Sequence, residues 1–227
     1  MIKRLPSRKY TLDESFFEEI NTEEKAYVLG FICADGHVAY NRIKIMLSIR
    51  DIEILEKIKT AMKSNAPLKH ITRPNPYKKG KPFCDMVTVD FASKKLVTPL
   101  INAGITSNKT YTLTSDILKI VPTELVRHFL RGYFDGDGNV IYGKKYASGI
   151  KYNINICGNE EFLLNTFQVC FPSTNKMYYE KKSKQVYVWK ISSKDNVTRF
   201  LNYLYSDSNI YLQRKYLIYE NAHIKPL

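Results

Sequence analysis

Gly30-Phe31-Ile32-Cys33-Ala34-Asp35-Gly36-His37-Val38 returns 102 residues later as Gly132-Tyr133-Phe134-Asp135-Gly136-Asp137-Gly138-Asn139-Val140. The shared pattern is glycine, aromatic, apolar, any residue, small, Asp-Gly, any residue, Val. Each copy closes an apolar helical run, Thr22–Leu29 in one case and Thr123–Arg131 in the other. A repeat of this period decides architecture before any single element does.

The agreement continues outward. Alternating strand patterns follow each copy, Ile43–Ser48 and Tyr152–Cys157, with a polar and an apolar face. Acidic helix starts come next, at Asp51–Ile58 and Glu160–Phe167, with apolar residues spaced by three and four. A second pair of strands, Met86–Phe91 and Val186–Ile191, leads into Ser93-Lys94 and Ser193-Lys194. Lys109 and Lys215 close the two series, each a few residues beyond a turn. The expectation is an α+β chain of two pseudo-symmetric αββαββα halves. These are residues 21–111 and 123–227, with an N-terminal arm at 1–20 and a linker at 112–122 that ends at Pro122.

Composition narrows the partner. The 227 residues carry 35 Lys+Arg against 22 Asp+Glu, a net charge of +13. Such a surplus suits a polyanion, most often nucleic acid, although a solvated basic surface is the plainer alternative. No apolar run reaches the ~20 residues of a membrane span, and no strongly basic amphipathic helix argues for a membrane surface. The basic N-terminus lacks an apolar h-region, so an intracellular, unsecreted protein is expected. The four cysteines, 33, 84, 157 and 170, form no CxxC pair, which favours reduced thiols over a zinc ribbon or redox motif.

The motif has a physical reading of its own. Gly30 and Ala34, like Gly132 and Gly136, lie four apart, so small residues stack on one helix face and let two backbones approach. The natural partner of each face is its copy. Thr22 or Asn21 suits the first helix N-cap and Thr123 the second, and Gly36 and Gly138 suit left-handed C′ positions. Asp35 and Asp137 then stand at helix C-termini, where the macrodipole disfavours a carboxylate by ~0.3–1 kcal/mol. Pairing the helices adds like-charge repulsion, and a divalent cation relieves both. Oxygen donors without nearby His or Cys ligands suit Mg²⁺ or Mn²⁺ rather than zinc. Asp-Gly alone is also a turn signal. An EF-hand starting at Asp135 fails, with Val140 where Gly belongs and Tyr146 where Glu belongs. Paired acids with metal in a basic surface suit phosphodiester hydrolysis. Lys109 and Lys215 are candidates to polarise water or offset phosphate charge.

Val28–Gly36 and Leu130–Gly138 align without gaps to the nine-residue signature of the LAGLIDADG homing endonucleases, and the chain resembles their single-chain, two-motif form. The resemblance implies that Asp35 and Asp137 bind metal, one for each DNA strand, with the Ala34 and Gly136 carbonyls as further ligands. It implies two four-stranded sheets forming a saddle over the major groove, with the motif helices at the interface. It further implies a monomer that cuts a long asymmetric double-stranded site to leave short 3′ overhangs. Leu29 and Arg131 depart from the small second residue of the signature, and Cys33 replaces its first acid, which Asp135 keeps. These departures bear on helix packing more than on the essential acids.

Strand alternation supplies a DNA surface. If Ile43, Ile45 and Leu47 face the core, then Arg42, Lys44, Met46 and Ser48 face away, continued by Arg50. If Tyr152, Ile154 and Ile156 face the core, Lys151, Asn153 and Asn155 face away, and Arg and Asn are good readers of base edges. The basic runs Lys78-Lys79-Gly80-Lys81, Lys144-Lys145 and Lys181-Lys182-Ser183-Lys184 are placed in strand connections, where they would track phosphates. An alternative is an RNA maturase that helps splice its host intron on the same fold. A transcription-factor-like descendant predicts degenerated acids, and both acids are present.

Overall fold

A computed structural model describes residues 9–75, 82–172, 177–179 and 186–224. The expected series of elements is present twice. The first half runs α1 (Glu23–Asp35), β1 (Gly36–Ala39), β2 (Arg42–Ser48), α2 (Ile52–Ala61), β3 (Lys69–Pro74), β4 (Phe83–Ala92) and α3 (Lys94–Asn102), followed by the short α4 (Lys109–Thr112). The second runs α5 (Val126–Asp137), β5 (Gly138–Tyr146), β6 (Gly149–Gly158), α6 (Glu160–Leu163), β7 (Tyr178–Tyr179), β8 (Tyr187–Ser192) and α7 (Lys194–Tyr205). A closing helix, α8 (Gln213–Ile224), adds to the expected series.

The two sheets have one topology. Both are four-stranded, ordered β1-β2-β4-β3 and β5-β6-β8-β7, and antiparallel throughout. In β2 the burial alternates, with Ile43, Ile45 and Leu47 buried and the residues between them more open. One face therefore packs on helices and the other is left free, as period-2 patterning requires. Behind the first sheet the core is mainly aliphatic, including Ile54, Leu55, Ile58, Leu96 and Leu100. Behind the second it is aromatic: Phe167 lies 5.8 Å from Trp189 and Phe200 lies 5.6 Å from the same ring.

The α1–α5 pair joins the halves. Residues Ala26 to Ala34 are all buried, so α1 is a core helix with no solvent stripe. Thr22 caps it, accepting a hydrogen bond from the Lys25 N–H at 3.3 Å. The equivalent cap at Thr123 does not form. Pro122 leads instead into a 3₁₀ turn over Thr123–Leu125, and α5 begins at Val126 without a side-chain cap. The left-handed C′ expectation also fails, because Gly36 (φ −77°) and Gly138 (φ −89°) are extended. Glycine is needed there for space. A β-carbon on Gly36 would stand 2.8 Å from the Ile32 backbone, and one on Gly138 would stand 2.2 Å from the Phe134 ring. The stretch expected as a linker forms a 3₁₀ turn, Ser115–Ile120, with Leu113, Ile117 and Val121 buried.

Candidate functional site

The helix pair brings its two C-terminal ends together. A β-carbon on Gly136 would lie 2.4 Å from the Ala34 β-carbon and 3.2 Å from Asp35 Oδ2. Asp35 is exposed and Asp137 half-buried. Desolvation by the surrounding protein raises the Asp35 carboxyl. At Asp137, desolvation and then the like charge of Asp35 push the carboxyl up to about 7, against the pull of Lys109 and Lys215. No described residue donates a hydrogen bond to either carboxylate. Asp135, two residues upstream, is the contrast. It is buried and accepts from Tyr27 Oη at 2.7 Å, Tyr205 Oη at 2.5 Å and the Leu212 N–H at 2.8 Å.

The donor set fits a hard cation. Two carboxylates that accept no hydrogen bond from the described residues, with the adjacent main-chain carbonyls, supply only oxygen, the preference of Mg²⁺ rather than of a softer metal. Among the described residues no cluster of three or more His, Cys, Asp or Glu could hold a metal ion, so water or a substrate oxygen would complete such a shell. Cys33 is no ligand in this state. Burial pushes its thiol up to about 12, keeping it protonated.

Both repeated lysines reach the helix ends and are buried. Lys109 Nζ donates to the Ala34 carbonyl at 2.5 Å. Lys215 Nζ donates to the Phe134 carbonyl, to the Asp135 carbonyl at 3.0 Å and to the Gly138 carbonyl at 2.6 Å. Burial lowers both ammonium groups, Lys215 to about 8. The Gly136 carbonyl receives neither lysine.

At the opposite end of the helix pair lies a network that motif reading missed. The fully buried Arg131 donates to Glu23 Oε1 at 2.6 Å, to the Leu204 carbonyl at 2.9 Å and to the Ile210 carbonyl at 3.0 Å, and it contacts His128 Nδ1 at 2.8 Å. Glu23 also accepts from the Asn209 N–H at 2.7 Å. Burial works to raise the Glu23 carboxyl, but the Asn209 N–H and the Arg131 charge prevail and lower it. Burial and the adjacent Arg131 hold His128 down to about 4, so it is neutral at physiological pH. The signal in the sequence was the departure itself, a large cation at a position the signature keeps small.

The free sheet faces carry most of the other candidates. Arg42 is exposed and pairs with Asp90 at 3.2 Å. Lys44, Met46 and Ser48 are half-open on the same face of β2, and Arg73 donates to Met46 Sδ at 3.3 Å. Arg50 is exposed but lies in the 3₁₀ turn Ile49–Asp51, beyond the strand. Lys144 and Lys145 belong to β5 rather than to a connection, because the β5–β6 hairpin runs longer than expected. Lys144 faces Lys151 in register, and both ammonium groups approach the Tyr146 ring, at 5.4 and 5.6 Å. Asn155 is half-open, but Asn153 is only 3% exposed, crowded between Ile141 and Ser192 on the neighbouring strands. The Oδ1 atoms of Asn153, Asn155 and Asp90 are buried without a partner. Lys78, Lys79, Lys81, Lys181, Lys182 and Lys184 lie outside the described residues.

Comparison with known proteins meets this geometry. Residues 124–205 match the family model of the LAGLIDADG-like domain. No curated protein matches the chain in sequence. Among solved structures, the homing endonuclease I-WcaI bound to its DNA recognition sequence is 14% identical, with a TM-score of 0.62 over 96% of this chain and 95% of that one. The LAGLIDADG homing endonuclease I-LtrWI bound to target DNA is 13% identical, with a TM-score of 0.56 over 89% of each chain. I-SmaMI, bound to an uncleaved DNA target in the presence of calcium ions, is 14% identical, with a TM-score of 0.54 over 90% of this chain and 91% of that one. The chain therefore contains a LAGLIDADG-like domain at residues 124–205 and has, along most of its length, the fold of the LAGLIDADG homing endonucleases.

Proposed function

We propose that the protein is a site-specific double-strand DNA endonuclease that hydrolyses phosphodiester bonds with a divalent metal, Mg²⁺ or Mn²⁺. The observation that carries the reading is the meeting of Asp35 and Asp137. Two carboxylates converge with no hydrogen-bond donor among the described residues, and desolvation raises both, with the charge of Asp35 adding to the rise at Asp137. An arrangement that costs stability and satisfies neither group is what a cation-binding site requires. The three solved relatives described above are each bound to DNA.

In this reading Asp35 and Asp137, with the Ala34 and Gly136 carbonyls, hold the metal. The metal supplies activation of water and stabilisation of the attacking and leaving oxygens. Arg42, Lys44, Met46, Ser48 and Asn155 meet base edges from the free sheet faces, whereas Asn153, enclosed between its neighbouring strands, does not. Lys144, Lys145 and Lys151 track phosphates from the long β5–β6 hairpin. The two halves differ at these positions, so the target is asymmetric and one chain suffices as a monomer.

The test is selection of cleaved targets from a randomised DNA library in Mg²⁺. A single long site, cut on both strands with short 3′ overhangs and left intact in EDTA, is the expected result. Specific binding of a structured intron RNA with no DNA cut under any condition would overturn it in favour of a maturase.

A further inference from the structure

We infer that the two strand-cutting sites are unequal: Lys215 is a structural cap on α5, whereas Lys109 keeps donors free for the reaction. This rests on the endonuclease reading. A lysine ammonium has three N–H donors. Lys215 spends all three on main-chain carbonyls of one helix end, those of Phe134, Asp135 and Gly138. It is 1% exposed and lies over the Phe134 ring, 4.6 Å from its centroid. A cation on the last carbonyls of a helix satisfies orphan acceptors and complements the dipole. No donor remains for a water or a phosphate.

Lys109, its counterpart in the first half, makes one hydrogen bond among the described residues, to the Ala34 carbonyl. Two of its donors are uncommitted. Its acceptor is also the carbonyl that would hold the metal, so Lys109 and a bound cation would compete for one oxygen. The Gly136 carbonyl accepts from neither lysine, so no such competition would arise there.

The surroundings make the difference permanent. Lys215 sits in the first turn of α8, and the residue that leads into α8, Leu212, is tied by its N–H to the buried Asp135 carboxylate. Tyr27 and Tyr205 hold that carboxylate from two further elements. The first half has Cys33 where Asp135 stands and the four-residue α4 where α8 stands. Among the described residues nothing comparable anchors Lys109.

Two measurements test the inference. Supercoiled plasmid carrying the selected target is cut in Mg²⁺ with each strand end-labelled separately. One strand is expected to be cut at least tenfold faster, with nicked circle accumulating before linear product. Equal strand rates with no nicked intermediate would overturn it. The absence of any cleavage would instead sink the endonuclease reading. Independently of cleavage, thermal melting of metal-free protein compares Lys215→Met with Lys109→Met. Removing the ammonium from these three carbonyls, of which Phe134's keeps the Gly138 N–H as a second donor, is expected to lower Tm by on the order of 10 °C, or to prevent folding, against a few degrees for Lys109→Met. Equal shifts in the two variants would refute the capping role.

Discussion

Gly30 lies so close to the Phe129 carbonyl that a β-carbon would stand 2.0 Å from its oxygen, and Gly132 meets the Tyr27 carbonyl at the same distance. The two approaches are images of each other under the 102-residue repeat. The pseudo-two-fold axis therefore passes between these glycines, and the spacing of the carboxylates further along depends on it. Gly30→Ala is expected to force the helices apart, lowering Tm by roughly 10 °C, in line with overpacking a rigid interface by 1–3 kcal/mol or more. Helix propensity alone would make Gly30→Ala stabilising by ~1 kcal/mol, so any fall in Tm reports the clash. An unchanged or raised Tm would refute the close-packing account.

Arg131 is the departure that the fold most depends on. Its guanidinium is fully buried and joins Glu23 of the first half to the Leu204 and Ile210 carbonyls of the second. Removing one partner of a buried pair costs ~3–5 kcal/mol, because the other charge is stranded. Arg131→Met should therefore destabilise the protein strongly. Glu23→Gln, which keeps the hydrogen-bonding shape, should cost less. Chemical denaturation measures both, and the double variant should cost clearly less than the sum of the single changes.

Asp137 makes metal-free stability depend on pH. Its ordinary value is 3.8, and in the folded protein it stands at about 7. Between these values the folded state holds a proton that the unfolded state has released. Stability therefore falls as pH rises through this window, by roughly 4 kcal/mol if Asp137 acted alone. Below pH 4 the penalty is absent, and above pH 7 it is complete. Because Asp35 titrates beside it, the pair shares the effect. Mg²⁺ should raise Tm more at pH 8 than at pH 5, and Asp137→Asn should raise metal-free Tm at pH 8 while abolishing cleavage. Melting curves across pH with and without Mg²⁺ decide this; a metal effect independent of pH would refute it.

The β5–β6 hairpin offers a separable test of DNA binding. Lys144, Lys145 and Lys151 are exposed and two of them flank Tyr146. Replacing all three by Gln should weaken binding to the selected target and to unrelated duplex alike. It should also make the slope of log affinity against log salt shallower by about 2–3, at ~0.9 for each phosphate no longer neutralised. A weakening confined to the selected target would mean that these lysines read bases instead.

The duplicated αββαββα order and the positions of Asp35 and Asp137 were legible in the linear chain. Repeat, alternation and small-residue spacing are local properties, and each survives into the fold because it decides which face is buried. The roles of the glycines after the acids were not legible. Gly36 and Gly138 serve clearance rather than backbone handedness, and clearance depends on what stands opposite. The same holds for Asn153, whose strand position is polar by alternation but whose surroundings close over it. Lys109 and Lys215 show the limit most sharply. In sequence they are equivalent repeats, and both do reach a helix end. Whether an ammonium spends one donor or three is set by which carbonyls surround it, and those are assembled only when α4 and α8 pack against the helix pair.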